Sequence, residues 1–463
     1  MKPSSRLLRL LAAFLGLALV AAACNSDDDD VASDDEGDEQ PDDNGDGGEG
    51  DGDAIDLGGG AMLDLSECPS DWDDSAGVSD DTITLAMSLP QSGALAAFGA
   101  IGEGMDIYFD QMEPIDGKSV ELILRDDAYD PARTSTNVEE ITQTEEPLAF
   151  VYVIGTPNNL AIRDFTDEEC IPQLFNSTGF PAWGDPETFP WTIGGLLAYN
   201  TEARIWCESI ADEFGEGTTV AGVFMNNDFG KSYQSEVQAC AEEGLIDLVE
   251  DVVHDPAAPD IANEMTTALG ANADVVIAGT TGAFCPQAAV AVAGASNDPT
   301  FYMSNTCSNT AAFLDPTEGA ADGVRMAANV KNFTDPAYAD DEAVQEGNAI
   351  LEDAGRSAAE GSLSTGILFA KNVEQLLRDA LEREGELTRS SIMKTVWSWD
   401  YCSDLVLEGI CSISDGANDA YLVEGARIEA YEYDAASGAG SFTAVTDLID
   451  VEGETGSVTQ PGS

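Results

Sequence analysis

The chain has 463 residues, of which 88 are Asp or Glu and only 18 are Lys or Arg, and its formal net charge is −70. That balance repels nucleic acid, whose binding needs a basic surface. With a single histidine, His254, a Cys/His zinc site is nearly excluded as well.

Lys2, Arg6 and Arg9 precede an apolar run from Leu10 to Val20 and the small residues Ala21, Ala22 and Ala23. The order predicts a secretory signal over 1–23, with an apolar core too short to span a bilayer as a mature helix. Cys24 follows directly and resembles the cysteine of a bacterial lipobox, with Ala21 where Leu is favoured. It predicts a lipid anchor with more than one acyl chain, as stable attachment requires. From Asn25 to about Gly60 the chain is Asp, Glu and Gly with almost nothing apolar, which predicts a disordered, self-repelling tether. Setting aside the sixteen acids between Asp27 and Asp56 and the three basic residues of the signal leaves 72 acids against 15 bases, so the body still carries −57. Such a charge favours solubility and a salt-tolerant surface.

From Thr82 onward, short apolar runs alternate with helical patterns. Strands are expected at Ile83–Leu89, Val120–Leu124, Phe150–Ile154, Thr219–Phe224, Asp274–Ala278 and Val324–Ala328, apolar on both faces as buried parallel strands are. Helices are expected at Gly99–Met112, Ala132–Thr144, Leu160–Cys170, Tyr199–Phe214, Lys231–Glu243, Ile261–Leu269, Asp341–Ala354 and Thr365–Glu384. A strand-rich piece, Ala426–Tyr433 and Phe442–Ile449, closes the fold. The alternation predicts an α/β protein, and a body of this length predicts two doubly wound parallel-sheet lobes joined by a hinge. The expected bounds are 1–23 signal, 24–79 tether and extension, 80–194 with 330–414 the first lobe, 195–329 with 415–450 the second, and 451–463 a loose tail.

Besides Cys24 there are eight cysteines, an even number in an exported chain, which points to disulfides. Spacing leaves many connectivities open. Cys402–Cys411 is favoured as a short loop, followed by Cys207–Cys240 and Cys285–Cys307, with Cys68–Cys170 pinning the N-terminal extension.

The segment Pro90-Gln91-Ser92-Gly93 ends the first strand, and Phe98-Gly99 opens a helix. Strand-to-helix turns at a sheet's carboxyl edge are where α/β proteins bind ligands. Ser92 can offer its hydroxyl there beside free helix N–H groups, or can simply cap the helix. Further on come Arg125-Asp126-Asp127-Ala128-Tyr129-Asp130-Pro131, then Val153-Ile154-Gly155, then Asn227-Asp228-Phe229-Gly230. The Asp126/Asp127/Asp130 cluster is read as structural, with Asp130 capping a helix that starts at Pro131.

These four pieces in this order resemble the branched-chain amino acid-binding branch of the periplasmic binding proteins of ABC importers, the type 1 periplasmic binding fold. The resemblance runs from Thr82 to about Ile449. It implies that the loops Gly155–Asn159 and Asn176–Gly179 hold the ligand's polar group, through Thr156, Asn158, Asn159, Ser177 and Thr178. It places Ser92 and Phe98 beside them, and Phe229, Thr281, Phe284 and Asn305 on the facing wall. Phe98 and Phe229 stand where the family often has Tyr. Neither Gly279–Phe284 nor Ser304–Thr306 carries the acidic residue that meets an amino acid's ammonium in such proteins, so an amide, a carboxylate or an apolar solute fits as well.

The function this implies is an extracytoplasmic lipoprotein that captures a small solute between its lobes and delivers it to an ABC permease. It would work as a monomer, on the bilayer through Cys24, without cofactor, metal or nucleic acid. A ligand-sensing lipoprotein that signals to a membrane receptor, or a structural surface lipoprotein, is the alternative. Catalysis is not expected: there is no Gly-x-Ser-x-Gly, the glycines of 99–104 lack the dinucleotide order, and no phosphate-loop motif occurs. His254, in a polar strand beside Asp255-Pro256, is expected at the surface.

Overall fold

The computed structural model describes residues 54–93 and 95–451; the signal, Cys24 and most of the acidic tether lie outside the described residues. An antiparallel hairpin, β1 (Ala54–Gly58) and β2 (Ala61–Asp64), comes first. The first α/β series follows: β3 (Thr82–Leu89), α1 (Gly99–Phe109), β4 (Ser119–Asp126), α2 (Pro131–Thr144), β5 (Ala149–Val151), α3 (Thr156–Glu168), β6 (Gln173–Asn176) and β7 (Thr192–Gly194). The second comprises α4 (Tyr199–Phe214), β8 (Thr218–Met225), α5 (Asp228–Glu243), β9 (Ile246–His254), α6 (Ala262–Gly270), β10 (Val275–Gly279), α7 (Phe284–Ala293), β11 (Thr300–Met303) and β12 (Arg325–Ala328). Three helices come next, α8 (Glu342–Asp353), α9 (Leu363–Glu384) and α10 (Arg389–Val396), then the small pair β13 (Asp400–Tyr401) and β14 (Ser412–Ile413). The antiparallel strands β15 (Gly425–Asp434), β16 (Ala439–Ala444) and β17 (Ile449–Asp450) end it.

Five strands form a parallel sheet in the order β4-β3-β5-β6-β7. The second series repeats that order as β9-β8-β10-β11-β12, and β15 and β16 extend it antiparallel beyond β12. In each half the strand order therefore reverses between the first and third strands, the switch point where loops leave the sheet on opposite sides and open a crevice. Strand interiors such as Leu85, Ala86 and Met87 in β3 and Val275–Ala278 in β10 are fully buried, as strands covered on both faces must be. After the second sheet the chain returns to pack α9 along α1 of the first half, then rejoins the second sheet at β15.

Four disulfides close Cys68–Cys170, Cys207–Cys240, Cys285–Cys307 and Cys402–Cys411, the pairs favoured from the sequence. The N-terminal extension is held by more than its disulfide. Trp72 packs edge-on to Trp191 at 5.8 Å and donates from Nε1 to the Cys170 carbonyl at 2.9 Å. Asp74 accepts from the backbone N and the hydroxyl of Ser390 at 2.8 and 2.6 Å.

Several expectations need correcting. The helix expected from Leu160 begins at Thr156, because Pro157 fits a first turn and Gly155 at φ 101° turns the chain into it. The helix expected from Lys231 begins at Asp228, capped by the Asn227 side chain, which accepts from Gly230 N at 3.1 Å. The polar strand expected around His254 is edge strand β9, with Asp247, Glu250 and Asp251 spaced along it. It ends at His254, which is buried rather than at the surface, with Nε2 2.9 Å from the Thr280 hydroxyl and its ring against Phe284.

Candidate ligand-binding cleft

A cleft of about 390 Å³ opens between the carboxyl edges of the two sheets, within the range of small-molecule sites, roughly 300–1,000 Å³. From the first half come Leu95 and Phe98 after β3, Tyr129 after β4, Ile154 and Gly155 after β5 and Ser177 after β6. From the second half come Tyr199 at the start of α4, Phe229 after β8, Thr281 after β10 and Asn305 and Thr306 after β11. The cleft continues past Asn329–Thr334 toward Thr365, Leu368 and Phe369 of α9.

Two carboxylates at the end of β4 organise the first wall. Asp126 accepts from the Ser92 hydroxyl at 2.6 Å and from the backbone N of Gln91 and Ala128, each at 2.9 Å. These bonds, the Ser92 hydroxyl first, pull its carboxyl down to about 2. Asp127 is fully buried and accepts from Ser88 Oγ at 2.9 Å, Thr134 Oγ1 at 3.1 Å, Asn158 Nδ2 at 3.2 Å and Tyr129 N at 2.7 Å. Ala128 and Tyr129 both sit at positive φ, 50° and 63°, a strained pair that Asp127 fixes and that delivers the Tyr129 ring to the cleft. The ring lies over Gly155, where a Cβ would stand 2.4 Å from it. Asp130 caps α2, its carboxylate accepting from Ala132 N at 2.9 Å.

Five of the eleven candidate ligand contacts border this cleft: Phe98, Ser177, Phe229, Thr281 and Asn305. The other six are engaged elsewhere. Ser92 is bound to Asp126, and Asn158 to Asp127. Asn159 donates to the carbonyls of Val153 and Gly155 at 2.7 and 2.9 Å, holding the first turn of α3 to the sheet. Thr156 and Thr178 bond each other at 2.6 Å, both buried. Phe284 packs on His254. Amides and hydroxyls at strand ends thus look alike in sequence whether they face a ligand or satisfy the buried backbone, and α3's early start turns Asn158 and Asn159 inward.

Tyr129 and Tyr199 are the residues that sequence reasoning missed. Tyr199 packs edge-on to Phe229 at 4.9 Å and its hydroxyl meets those of Thr178 and Thr156, so α4 of the second series is joined to the first wall. Burial pushes this phenol up to about 12 and raises that of Tyr129 also, so both are neutral hydroxyls. Gly230, in the Asn-Asp-Phe-Gly piece, lets α5 close on β8: a Cβ there would lie 2.0 Å from the Met225 carbonyl oxygen, which is what aims Phe229 inward.

Charged groups on the cleft wall are engaged already. Lys331 Nζ is 2.6 Å from Asp341 and 2.7 Å from the Asp404 carbonyl. Asp315 Oδ1 accepts from the Tyr431 hydroxyl at 2.6 Å and Gly440 N at 2.9 Å, and Glu429 pairs with Arg427. What remains for a ligand is rings, aliphatic surface and a few hydroxyls and amides.

Paired doubly wound sheets with a cleft across their carboxyl edges define a two-lobed solute-binding fold. The chain belongs to the periplasmic binding protein family, whose profile matches residues 82–401. The resemblance carried by the four motif pieces is borne out, and with it the type 1 fold class. Among solved structures, a branched-chain amino acid ABC transporter protein from Thermus thermophilus with bound valine is 18% identical at TM-score 0.69, covering 81% of this chain and 97% of that one. A solute-binding protein from R. palustris in complex with 4-hydroxybenzoate is 16% identical at TM-score 0.69, covering 82% and 100%. A fatty acid ABC transporter substrate-binding protein from Thermomonospora curvata is 18% identical at TM-score 0.66, covering 82% and 96%. A search of curated proteins finds no match. Among the described residues no helix is long and apolar enough to cross a membrane.

Proposed function

We propose that this chain is an extracytoplasmic solute-binding lipoprotein, held to the membrane through Cys24, that captures a small organic molecule between its lobes and hands it to an ABC permease. The observation that carries this reading is the cleft at the two facing switch points. Its walls come from both halves of the chain, so a solute that touches both stabilises a closed form for the permease to recognise, a hinge closure. The lobes would be 80–194 with 330–414 and 195–329 with 415–450.

The composition of the walls favours an uncharged solute with an apolar body and an amide, carbonyl or hydroxyl. Phe98, Tyr129, Tyr199, Phe229 and Phe369 supply area, while Ser177, Thr281, Asn305 and Thr306 supply the polar contacts. The solved relatives bind molecules as different as valine and 4-hydroxybenzoate, so the shared fold leaves solute choice to these side chains.

A thermal-shift panel of matched isosteres tests it: L-valine against isovaleramide, and 4-hydroxybenzoate against 4-hydroxybenzamide. A ligand at about a hundred times its dissociation constant adds about 2.7 kcal/mol and moves the melting point by a few degrees. The amides are expected to shift it more than their charged counterparts. Failure of every panel member to shift it would count against solute capture. For the anchor, Cys24→Ser is expected to move the protein from the membrane to the soluble fraction.

A further inference from the structure

Glu202 lies one turn along α4 from Tyr199 and is fully buried behind the second wall. An acidic side chain in the first turn of a helix ordinarily faces that helix's own free N–H groups. Here Oε1 instead accepts from the backbone N of Asn305 at 2.7 Å, and Oε2 lies 2.6 Å from the Tyr233 hydroxyl. From Tyr233 the contacts continue in single file. Its hydroxyl is 2.8 Å from Ser304 Oγ, Ser304 Oγ is 2.9 Å from Thr306 Oγ1, and Thr306 Oγ1 is 3.3 Å from the Thr280 carbonyl. Asn305 and Thr306 border the cleft, so the file starts at a carboxyl and ends at the solute wall.

Each hydroxyl has one hydrogen, so the direction of the file depends on the carboxyl. With Glu202 neutral, its own O–H donates to Tyr233, Tyr233 donates to Ser304, Ser304 to Thr306, and Thr306 to the Thr280 carbonyl. Every group is then satisfied internally. With Glu202 ionised, Tyr233 must donate to the carboxylate and Ser304 turns its hydrogen to Tyr233. Thr306 still donates to the Thr280 carbonyl but no longer receives a hydrogen bond, so its oxygen is open to a donor in the cleft.

We propose that Glu202 is a buried proton switch for the cleft, setting which way the Tyr233, Ser304 and Thr306 hydroxyls donate and so whether Thr306 can engage a solute. The inference rests on the solute-binding reading above and adds its regulation: solute binding and Glu202 ionisation favour each other, and by reciprocity binding expels a proton. Burial pushes this carboxyl up to about 8, against the opposing pull of Tyr233 and Asn305, which puts the switch near the neutral range. Tyr199 and Tyr233 are the titratable groups that face it. On the elements packed around α4, Arg204 pairs with Glu236 and Glu243, Arg325 with Glu213 and Arg427 with Glu429, while Asp228, Lys231 and Glu242 of α5 are exposed. On edge strand β9, Asp247 and Asp251 are exposed and Glu250 partly so, with Asp251 bound to Gln234 and Gln238.

Two measurements on the full signal-free protein test it. The first needs no ligand: with asparagine-specific ¹⁵N labelling, the Asn305 amide resonance is expected to titrate with a midpoint near 8. The titration should vanish in Glu202→Gln and move in Tyr233→Phe. The second follows isovaleramide and benzamide, neither of which has a group that titrates near neutral pH. Affinity is expected to rise about threefold or more as pH passes through the Glu202 midpoint, and to lose that slope in Glu202→Gln. A static Asn305 amide, a slope of opposite sign, or a slope that survives in Glu202→Gln overturns the switch. If neither amide binds at any pH, solute capture of this class fails, and the Asn305 titration still decides whether Glu202 sets the direction of the file.

Discussion

Glu202 also makes a stability prediction at the scale of one residue. Its folded pKa of about 8 stands above the ordinary 4.5, so the folded protein holds this proton more tightly than the unfolded chain does. The stability contributed is complete below about 4.5 and is lost as pH rises through about 8. Urea unfolding of wild type against Glu202→Gln should show the wild-type advantage shrinking between about pH 5 and pH 9, and a constant difference would contradict the assignment. Thr156 and Thr178 stand differently. Their hydroxyls bond each other and Tyr199, so they hold the two walls in register without touching the cleft. The double change Thr156→Ala, Thr178→Ala removes a buried hydrogen bond worth about 1 kcal/mol and leaves the Tyr199 hydroxyl without it. Amide affinity is expected to fall about tenfold while the melting point moves by only a few degrees, and unchanged affinity would show that Tyr199 is placed by packing alone.

At the scale of elements, the turn after β4 is the part most exposed to a single substitution. Asp127→Ala would leave Ser88, Thr134 and Asn158 as buried donors with a lost acceptor and would free the positive-φ pair Ala128–Tyr129. Each orphaned group costs about 1–3 kcal/mol, so thermal unfolding should report one of the largest losses in the molecule, and a loss under about 1 kcal/mol would contradict this account. The Asp-Asp-x-Tyr-Asp-Pro run is legible as a structural turn because Asp130 and Pro131 obey local capping rules. The role of Tyr129 is not, because it depends on Gly155, which reaches it only through the pairing of β3 with β5. The same distinction runs through the fold. Strands such as β3, β8 and β10 are legible because both faces are buried. Edge strand β9 is legible only as a polar strand around His254 with no bounds, and the burial of His254 at its end is hidden because its acids suggest a solvated setting. The helix starts at Thr156 and Asp228 precede the expected ones because motif residues there look like loops. That difference turns Asn158 toward Asp127 and Asn159 toward the Val153 and Gly155 carbonyls. Tyr199 and Glu202 leave no local signal, since both act through partners from other elements.

At the scale of the whole molecule, charge sets the response to salt. A body at −57 has acids packed closely enough to repel one another, and its 15 bases are too few to offset its 72 acids. Screening length falls from about 10 Å at 0.1 M to about 3 Å at 1 M salt, so the melting point is expected to rise between those concentrations. A flat or falling response would mean that the acids are spaced beyond mutual reach. The N-terminal extension has a consequence of another kind under the Cys24 anchor proposed above, because a chain held there can be pulled. Force arriving at Ala54 meets the β1–β2 hairpin and then the Cys68–Cys170 bond before it can reach β3. That covalent bond diverts the load into Cys170 at the end of α3, and Trp72 and Asp74 tie the intervening strand to Trp191 and Ser390. On that anchor, tension would bypass β3 and leave the cleft beyond it undistorted under drag.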